Sequence, residues 1–455
     1  MGTYILVTGA NSGLGLGICT RLIDDFLQQK KGSSTAPKEE DNNLTVIFTT
    51  RSRRKSEDTL AHLTTHLRRA HPPEARARIR LQAESVELTS LLSVQVLAQK
   101  LLASDLPHLD AVICNAGIGG WTGLNWPLAV WTVMLDIRRA TTWPEYKLGA
   151  VGLLAKPQLP STTTMAAGER PLGEVFCANV FGHYMLAHWL MPLLWAAEAA
   201  PSKVVWVSSV EAGTRHYNAD DHQGLRTDAA YEHSKRLTDL LALTAQDQPA
   251  TAKLVDQFVD PTQQPPLVQS GEGSRQRPRL TRPRVLVTHP GVATTSIISL
   301  SWILAQAYVL TIYLTRWVGG VWSTVSPYLG AASVTWAALA LVDDLRAKEA
   351  EDDRGGGEGK WGTAIDRFGV TTVRRTEAED WGINGSGKPY SETWWGGVSW
   401  LGGGYNGRRS DAVDASKEDV ENFVTDGAEA WRKMEQLRAE WEARLDAFDR
   451  EVAAV

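Results

Sequence analysis

Residues 3–23, "TYILVTGANSGLGLGICTRLI", constrain this chain more than any other stretch. An apolar run leads into a glycine-rich turn and then into a helical pattern, so the segment predicts strand, loop and helix. Gly9, Gly13 and Gly15 stand in the spacing G-x-x-x-G-x-G around Leu14. Glycine permits a tight turn and lets backbone N–H groups approach a pyrophosphate at a helix N-terminus. The more familiar G-x-G-x-x-G arrangement differs in spacing but works by the same mechanics. An apolar strand at the very start also implies that no signal peptide precedes it and that the catalytic part faces the cytosol.

The following segments repeat the alternation. "LTVIFTTRSRRK" (44–55) predicts a second strand that ends at Thr50 and Arg51. A dinucleotide-binding fold chooses its cofactor at this point. An acidic residue there would bind the ribose hydroxyls of NAD, whereas arginine can clamp a 2′-phosphate, so NADP (NADPH) is expected. "LQAESVELTS" (81–90) predicts a third strand ending near Glu87, and "LDAVICNAGIGG" (109–120) a fourth that delivers Asn115 to the ligand end of the sheet. Alternating strands and helices imply an α/β, doubly wound parallel sheet of Rossmann type.

"AAYEHSKRLT" (229–238) places Tyr231 and Lys235 four residues apart. On a helix they share a face, and a neighbouring ammonium favours phenolate over phenol. Such a pair can deliver a proton, or it can simply sit on a solvated helix face. A net charge of −5 argues against a nucleic-acid partner. Cys19, Cys114 and Cys177 are too scattered for a metal or disulfide framework, and no metal is expected. His216, His222 and His233 read as loop and helix-surface residues.

Six motifs in order decide between these readings: "TGANSGLG" (8–15), "NAG" (115–117), Asn179 in "CANVFGHY", "VVWVSSV" (204–210), "YEHSK" (231–235) and "HPGVATT" (289–295). Together they resemble the short-chain dehydrogenase/reductase family over roughly residues 1–295. The stretch 115–147 narrows the resemblance to the fungal 3-keto-steroid reductases of ergosterol biosynthesis, which act during sterol C-4 demethylation. The resemblance implies that Tyr231 donates a proton to the carbonyl oxygen and that Ser209, rather than Ser208, holds that oxygen. It implies that Lys235 lowers the tyrosine's proton affinity and touches the nicotinamide ribose, and that Asn179 holds a relay water. It also puts Val292 and Thr294 beside the cofactor. Two departures stand out. Ser209 and Tyr231 are 22 positions apart, more than the family's usual dozen or so, and Glu87 stands where many relatives carry aspartate.

Residues 1–345 are thus expected to form the NADP-binding reductase domain, with insertions at 118–173 and 246–281. The first is tryptophan-rich and suits the wall of a sterol-sized pocket. Residues 297–314 carry no charge, and 297–342 only Arg316; the segment 297–314 spans a bilayer, lies on its surface or is a buried lid. Residues 346–455 read as a Gly/Trp-rich linker followed by an amphipathic helix over 416–449. The expected partners are a sterol ketone, a membrane surface and other C-4 demethylation enzymes, with no nucleic acid. The expected location is the cytosolic face of the endoplasmic reticulum membrane or lipid droplets. A reductase of another lipid ketone or a retinoid, and a non-catalytic NADP-binding scaffold, remain the alternatives.

Overall fold

The computed structural model of the chain describes residues 2–29, 43–161, 163, 168–197, 200–246, 248–262, 281–295, 302–350, 359–385 and 407–453. The described residues include ten strands: β1 Thr3–Val7, β2 Leu44–Thr50, β3 Ile79–Ser85, β4 Ala111–Cys114, β5 Trp121–Leu124, β6 Lys147–Gly149, β7 Lys203–Val207, β8 Arg284–His289, β9 Lys360–Ile365 and β10 Thr371–Thr376. Eight of them form one sheet in the order β10-β9-β8-β7-β4-β1-β2-β3. All neighbours are parallel except β9 and β10. In β1, Ile5 faces both Val46 and Ala111, so the strand order reverses there. Ligands of open α/β sheets bind in the crevice at such a reversal, beyond the strands' carboxyl ends. The central strands read as unbroken apolar runs because helices cover both faces. Ile5, Leu6 and Val7 are fully buried, with Ile5 and Val7 in one core layer and Leu6 in the other.

Strands β9 and β10 come from the segment that the sequence assigned to a linker. Their hydropathy is broken by Lys360, Arg374 and Arg375, yet all three are buried. The strand signal is lost because these positions carry long cations over apolar neighbours. The reductase sheet therefore extends past 345, through residue 376.

The apolar block after β8 divides in two. Helices Pro327–Gly330 and Ala332–Leu339 pack against the first helix, Gly13–Gln29, and the sheet. Gly17 allows this approach, since a Cβ there would lie 2.6 Å from the carbonyl carbon of Pro327. Helix Trp302–Trp317 instead lies across the ligand end, with Ile312 and Thr315 buried. Residues 297–301 of the expected apolar segment lie outside the described residues. No helix among the described residues is long and apolar enough to cross a membrane.

The last helix, Lys417–Ala453, docks on helix Ala230–Leu243. Its apolar stripe buries Phe423, Trp431, Met434, Trp441 and Leu445. Gly427 lets the two backbones meet, for a Cβ there would fall 2.6 Å from the Thr244 side chain. Trp431 Nε1 donates to the Leu241 carbonyl at 3.1 Å, and Tyr184 Oη to Glu435 Oε1 at 2.5 Å. Within the 246–281 insertion, helix Ala252–Phe258 packs on the same long helix; residues 247 and 263–280 are not among those described.

Candidate active site

A cavity of about 1310 Å³ opens at the carboxyl ends of β1, β2, β4 and β7. Its floor is the glycine turn. Gly9 and Gly13 have φ of +71° and +53°, in the left-handed region that favours glycine. A Cβ on Gly15 would lie 2.2 Å from the Gly9 carbonyl oxygen, so any side chain there would break the turn. Leu14 lines the cavity beside them. Thr8 fixes the turn to the next strand. Its Oγ1 accepts from the N–H groups of Asn115 and Ala116 at 2.9 and 3.1 Å, while Asn115 Nδ2 donates to the Thr8 carbonyl at 2.9 Å. A narrow, side-chain-free cradle at a helix N-terminus fits a dinucleotide pyrophosphate.

At the end of β2, Thr50 Oγ1 donates to the Ser52 carbonyl at 2.9 Å, shaping the turn before helix Arg53–Ala70. Arg51 is exposed at the cavity edge, with Lys55 nearby on the first helical turn. Glu87 also lines the cavity, but its Oε1 accepts from the N–H and hydroxyl of Thr89 at 3.2 and 3.0 Å. That carboxylate is already engaged in closing its own loop. Val292 lines the cavity as well. Thr294 does not: its hydroxyl donates to the Val325 carbonyl at 2.7 Å, and its neighbours Ala293 and Thr295 face the cavity instead.

Ser209, Tyr231 and Lys235 meet above this floor. The Tyr231 phenol hydrogen-bonds Ser209, and the residue is half-buried where it lines the cavity. Burial and the charge of Glu211 raise its proton affinity well above the ordinary phenol range, and the Ser209 hydrogen bond works the other way. Lys235 Nζ lies 5.5 Å from the Tyr231 ring centroid and donates to the Val207 carbonyl at 2.7 Å. Burial brings its pKa down to about 8, a trend Lys360 reinforces and Asp239 opposes. The adjacent serines are clearly distinguished. Ser208 Oγ turns away and donates to Asp239 Oδ1 at 2.6 Å, which leaves Ser209 as Tyr231's partner. The additional residues between Ser209 and Tyr231 fold into two short 3₁₀ turns, Thr214–His216 and Ala219–Asp221.

Asn179 lies in a π-helical turn, Cys177–Phe181. Its Oδ1 accepts from the Ile118 N–H at 2.8 Å, and its Nδ2 donates to the Ile118 carbonyl and to Ser234 Oγ, both at 3.0 Å. The amide thus clamps the start of the insertion to helix Ala230–Leu243. Such widened helical turns recur at functional sites.

The 118–173 insertion builds the upper wall. β5 and β6 form an antiparallel hairpin, and helix Trp126–Leu135 crosses the opening. Trp121, Leu124, Ala129, Val133 and Met134 face the cavity, opposite Leu304, Ala307 and Tyr308 of helix Trp302–Trp317. The expected pocket wall is thus present; residues 162 and 164–167 are not among those described.

The chain is 43% identical to the 3-keto-steroid reductase erg27 of Aspergillus fumigatus, an alignment that covers 97% of this chain and 95% of that protein. The chain belongs to the 3-keto-steroid reductases. The relative from Gibberella zeae, 3-keto-steroid reductase ERG27, is 33% identical over 96% and 94% of the two chains. No family model matches. Among solved structures, salutaridine reductase from Papaver somniferum superposes with a TM-score of 0.41 at 15% identity, over 74% of this chain and 95% of that one.

Several side chains of this reductase site carry no motif. Thr8 belongs to the glycine segment, but nothing in the sequence marks it as an anchor. Lys147, Glu211 and Lys360, from three segments that only the fold brings together, also surround Tyr231 and Lys235, with Glu232 beside Tyr231 in the sequence. His233, expected on a helix surface, is buried against Tyr217, with ring centroids 5.0 Å apart. Remote from the cavity, His66 and His71 converge on Asp24 Oδ1 at 2.8 and 2.6 Å, and Tyr328 Oη donates to Asp24 Oδ2 at 2.8 Å. The sequence expected no metal-ligating group, yet the ligand-type atoms of Asp24, His66 and His71 lie within 4.8 Å of one another, a grouping that could hold a metal ion and that only folding assembles.

Proposed function

We propose that this protein reduces the 3-keto group of a sterol to the 3β-alcohol, using NADPH, during C-4 demethylation in ergosterol biosynthesis. The observation that carries this reading is a Ser209–Tyr231–Lys235 group at the inner end of a large apolar cavity, in a chain that aligns almost end to end with a named 3-keto-steroid reductase. A nicotinamide cofactor bound in the glycine cradle would supply the hydride to the carbonyl carbon. Tyr231 gives its phenolic proton to the carbonyl oxygen, and Ser209 holds that oxygen in line. Lys235 carries the positive charge that makes the departing proton less costly to release. Asn179 keeps the roof of the site in register with the catalytic helix through Ile118 and Ser234.

The glycine cradle, with Asn115 beneath it, would take the pyrophosphate. Arg51, with Lys55, offers the cationic edge that a 2′-phosphate needs. Glu87 is left to its loop, so the adenine would rest on the apolar neighbours Val86 and Leu88.

A rigid four-ring lipid dissolves poorly in water and must be collected from a bilayer. Two helices frame the cavity mouth, and both turn apolar side chains outward. Trp131, Met134 and Leu135 are exposed on one; Trp302, Ile303 and Leu310 are exposed on the other. Of 24 exposed large apolar residues among those described, 17 lie between 126 and 154 or between 302 and 318, so they form a patch around the mouth rather than a scatter. This supports docking on the cytosolic face of the endoplasmic reticulum membrane or on lipid droplets, near the other C-4 demethylation enzymes.

The test is NADPH oxidation by the purified protein across a ketone panel. A 4-methyl-3-keto sterol should give the highest kcat/KM, with 17-keto steroids and retinal far behind. A preference for either of the latter would overturn the sterol assignment and leave the reductase chemistry standing.

A further inference from the structure

A buried charge cluster sits against the back of Tyr231. Lys147, at the start of β6, is ion-paired with both Glu211 and Glu232. The Lys147 and Glu232 side chains are only 5% and 7% exposed. Glu211 follows Ser209 by two residues, and its N–H donates to Ser209 Oγ at 3.2 Å. Glu232 adjoins Tyr231 on the catalytic helix. The cluster therefore joins three segments: the insertion, the loop after β7 and the helix that carries the phenol.

Its cation is also placed over the rings. Lys147 Nζ stands 4.3 Å from the Trp121 ring centroid and 5.4 Å from that of Tyr231. The two rings are themselves 4.8 Å apart. Two ammonium groups thus stand at nearly equal range from the Tyr231 ring, since Lys235 Nζ is 5.5 Å from its centroid. β6 is held firmly in this position. A Cβ on Gly149 would lie 1.6 Å from the Asp228 carbonyl oxygen, just before the catalytic helix.

We propose that Lys147 is a second positioning cation of this site, clamping Trp121 onto the Tyr231 ring and setting, through Glu211 and Glu232, how readily Tyr231 parts with its proton. This rests on Tyr231 being the proton donor. A carboxylate beside a phenol opposes phenolate, and Glu211 acts on Tyr231 in that sense. Lys147 offsets that charge. Burial works against the Lys147 ammonium, but Glu211 and Glu232 outweigh it and raise its pKa. Glu211 bears the strain of the arrangement: burial and the nearby Glu232 bring its pKa up to about 7, against the pull of Lys147. Tyr308 also faces the phenol, from helix Trp302–Trp317, Tyr146 feels Glu211, and His216 and Arg215 border the cluster from the far side.

The sterol alcohol's oxidation by NADP⁺ reads this directly, because that direction requires Tyr231 deprotonated. Its kcat/KM rises with pH as the phenol ionises. Lys147→Met keeps the apolar stem against Trp121 and removes the charge. The rising limb should move up by on the order of one pH unit. Glu211→Gln removes a negative charge and should move the limb down; Lys147→Arg should leave it near wild type. If both Lys147→Met and Glu211→Gln leave the limb in place and change only thermal stability, the cluster is a clasp and the proposal fails. Should Lys147→Met not fold, the near-isosteric Glu211→Gln decides alone. Tyr231→Phe separates the two levels: retained turnover there would overturn the reading of the acid itself, whereas an inactive Tyr231→Phe with an unmoved limb in the charge variants overturns only the role of Lys147.

Discussion

Lys360 Nζ donates to the main-chain carbonyl of Ser209 at 2.5 Å and pairs with Asp239 Oδ2 at 2.6 Å. The lysine opens β9, a strand near the sheet edge, and the aspartate lies one turn after Lys235 on the catalytic helix. Asp239 in turn accepts from Ser208 at 2.6 Å. One buried ion pair thus ties the end of the catalytic strand, the catalytic helix and the late part of the chain together.

Lys360→Met should test that tie. It would leave Asp239 buried without its cation, which costs roughly 3–5 kcal/mol in comparable buried pairs. Adding Asp239→Asn should recover part of the loss, because coupled neighbours are not additive. Denaturant unfolding of both variants measures this. A loss below about 1 kcal/mol for Lys360→Met would mean that the pair is not a structural support.

Tyr231→Phe keeps the ring against Trp121 and removes the hydroxyl. Ketone reduction should fall by roughly 10²–10⁴, the usual yield of a placed proton donor, with NADPH affinity changed no more than a few-fold. Ser209→Ala should lower kcat in the same direction. Single-turnover kinetics with bound NADPH separates the chemical step from binding. Turnover within a few-fold of wild type in Tyr231→Phe removes it from the mechanism.

Arg51→Ala addresses cofactor choice. Hydrogen bonds to a charged group contribute about 1.5–3 kcal/mol, so NADPH should bind roughly ten- to a hundredfold more weakly. NADH, which lacks the 2′-phosphate, should be nearly unaffected. An equal loss for both cofactors would leave that phosphate to Lys55 or to no side chain at all.

Glu211 also gives a stability signature. Its folded-state pKa is raised, from 4.5 to about 7, with burial the main cause. A raised pKa contributes stability that is fully present below the unfolded value and is lost as pH rises through the folded value. The window is therefore about pH 4.5 to 7. Glu211→Gln should have a higher Tm than wild type at pH 8 and lose that advantage at pH 4. Differential scanning calorimetry at the two values checks it; an advantage of the same size at both would show that Glu211 does not titrate in this window.

The part of this fold that repeats a strand-turn-helix pattern was legible in the sequence. β1, β2, β4, β7 and β8 are apolar on both faces, and their ends carry the glycines, Asn115, Ser209 and the segment around Val292. Tyr231 and Lys235 were legible for a different reason: helical spacing alone puts them on one face. The rest depends on contacts that only the folded chain makes. β9 and β10 were hidden because Lys360, Arg374 and Arg375 are buried with partners that lie far away in sequence. Thr294 and Thr295 alternate across one extended segment, so spacing could not say which faces the cavity. Asn179 is marked by the resemblance alone; its side-chain partners, Ile118 and Ser234, come from segments that only the fold brings beside it.

The two helices at the cavity mouth allow a test of membrane docking that leaves Ser209, Tyr231 and Lys235 untouched. Trp131, Leu135, Ile303 and Leu310 are exposed on the helices that frame the cavity mouth and do not line the cavity. Polar replacements there remove no packed contact, so stability should change by less than about 0.5 kcal/mol. Each large apolar side chain that enters lipid contributes roughly 1.5–3 kcal/mol. A triple variant, Leu135→Gln with Ile303→Gln and Leu310→Gln, should therefore weaken cosedimentation with phospholipid vesicles at least a hundredfold. KM for a sterol ketone presented in those vesicles should rise, while KM for a short water-soluble ketone stays unchanged, because only the first substrate arrives through the bilayer. A triple variant that folds, pellets with vesicles as wild type does and keeps the same KM for the embedded sterol would show that the membrane, if engaged, is engaged elsewhere on the chain.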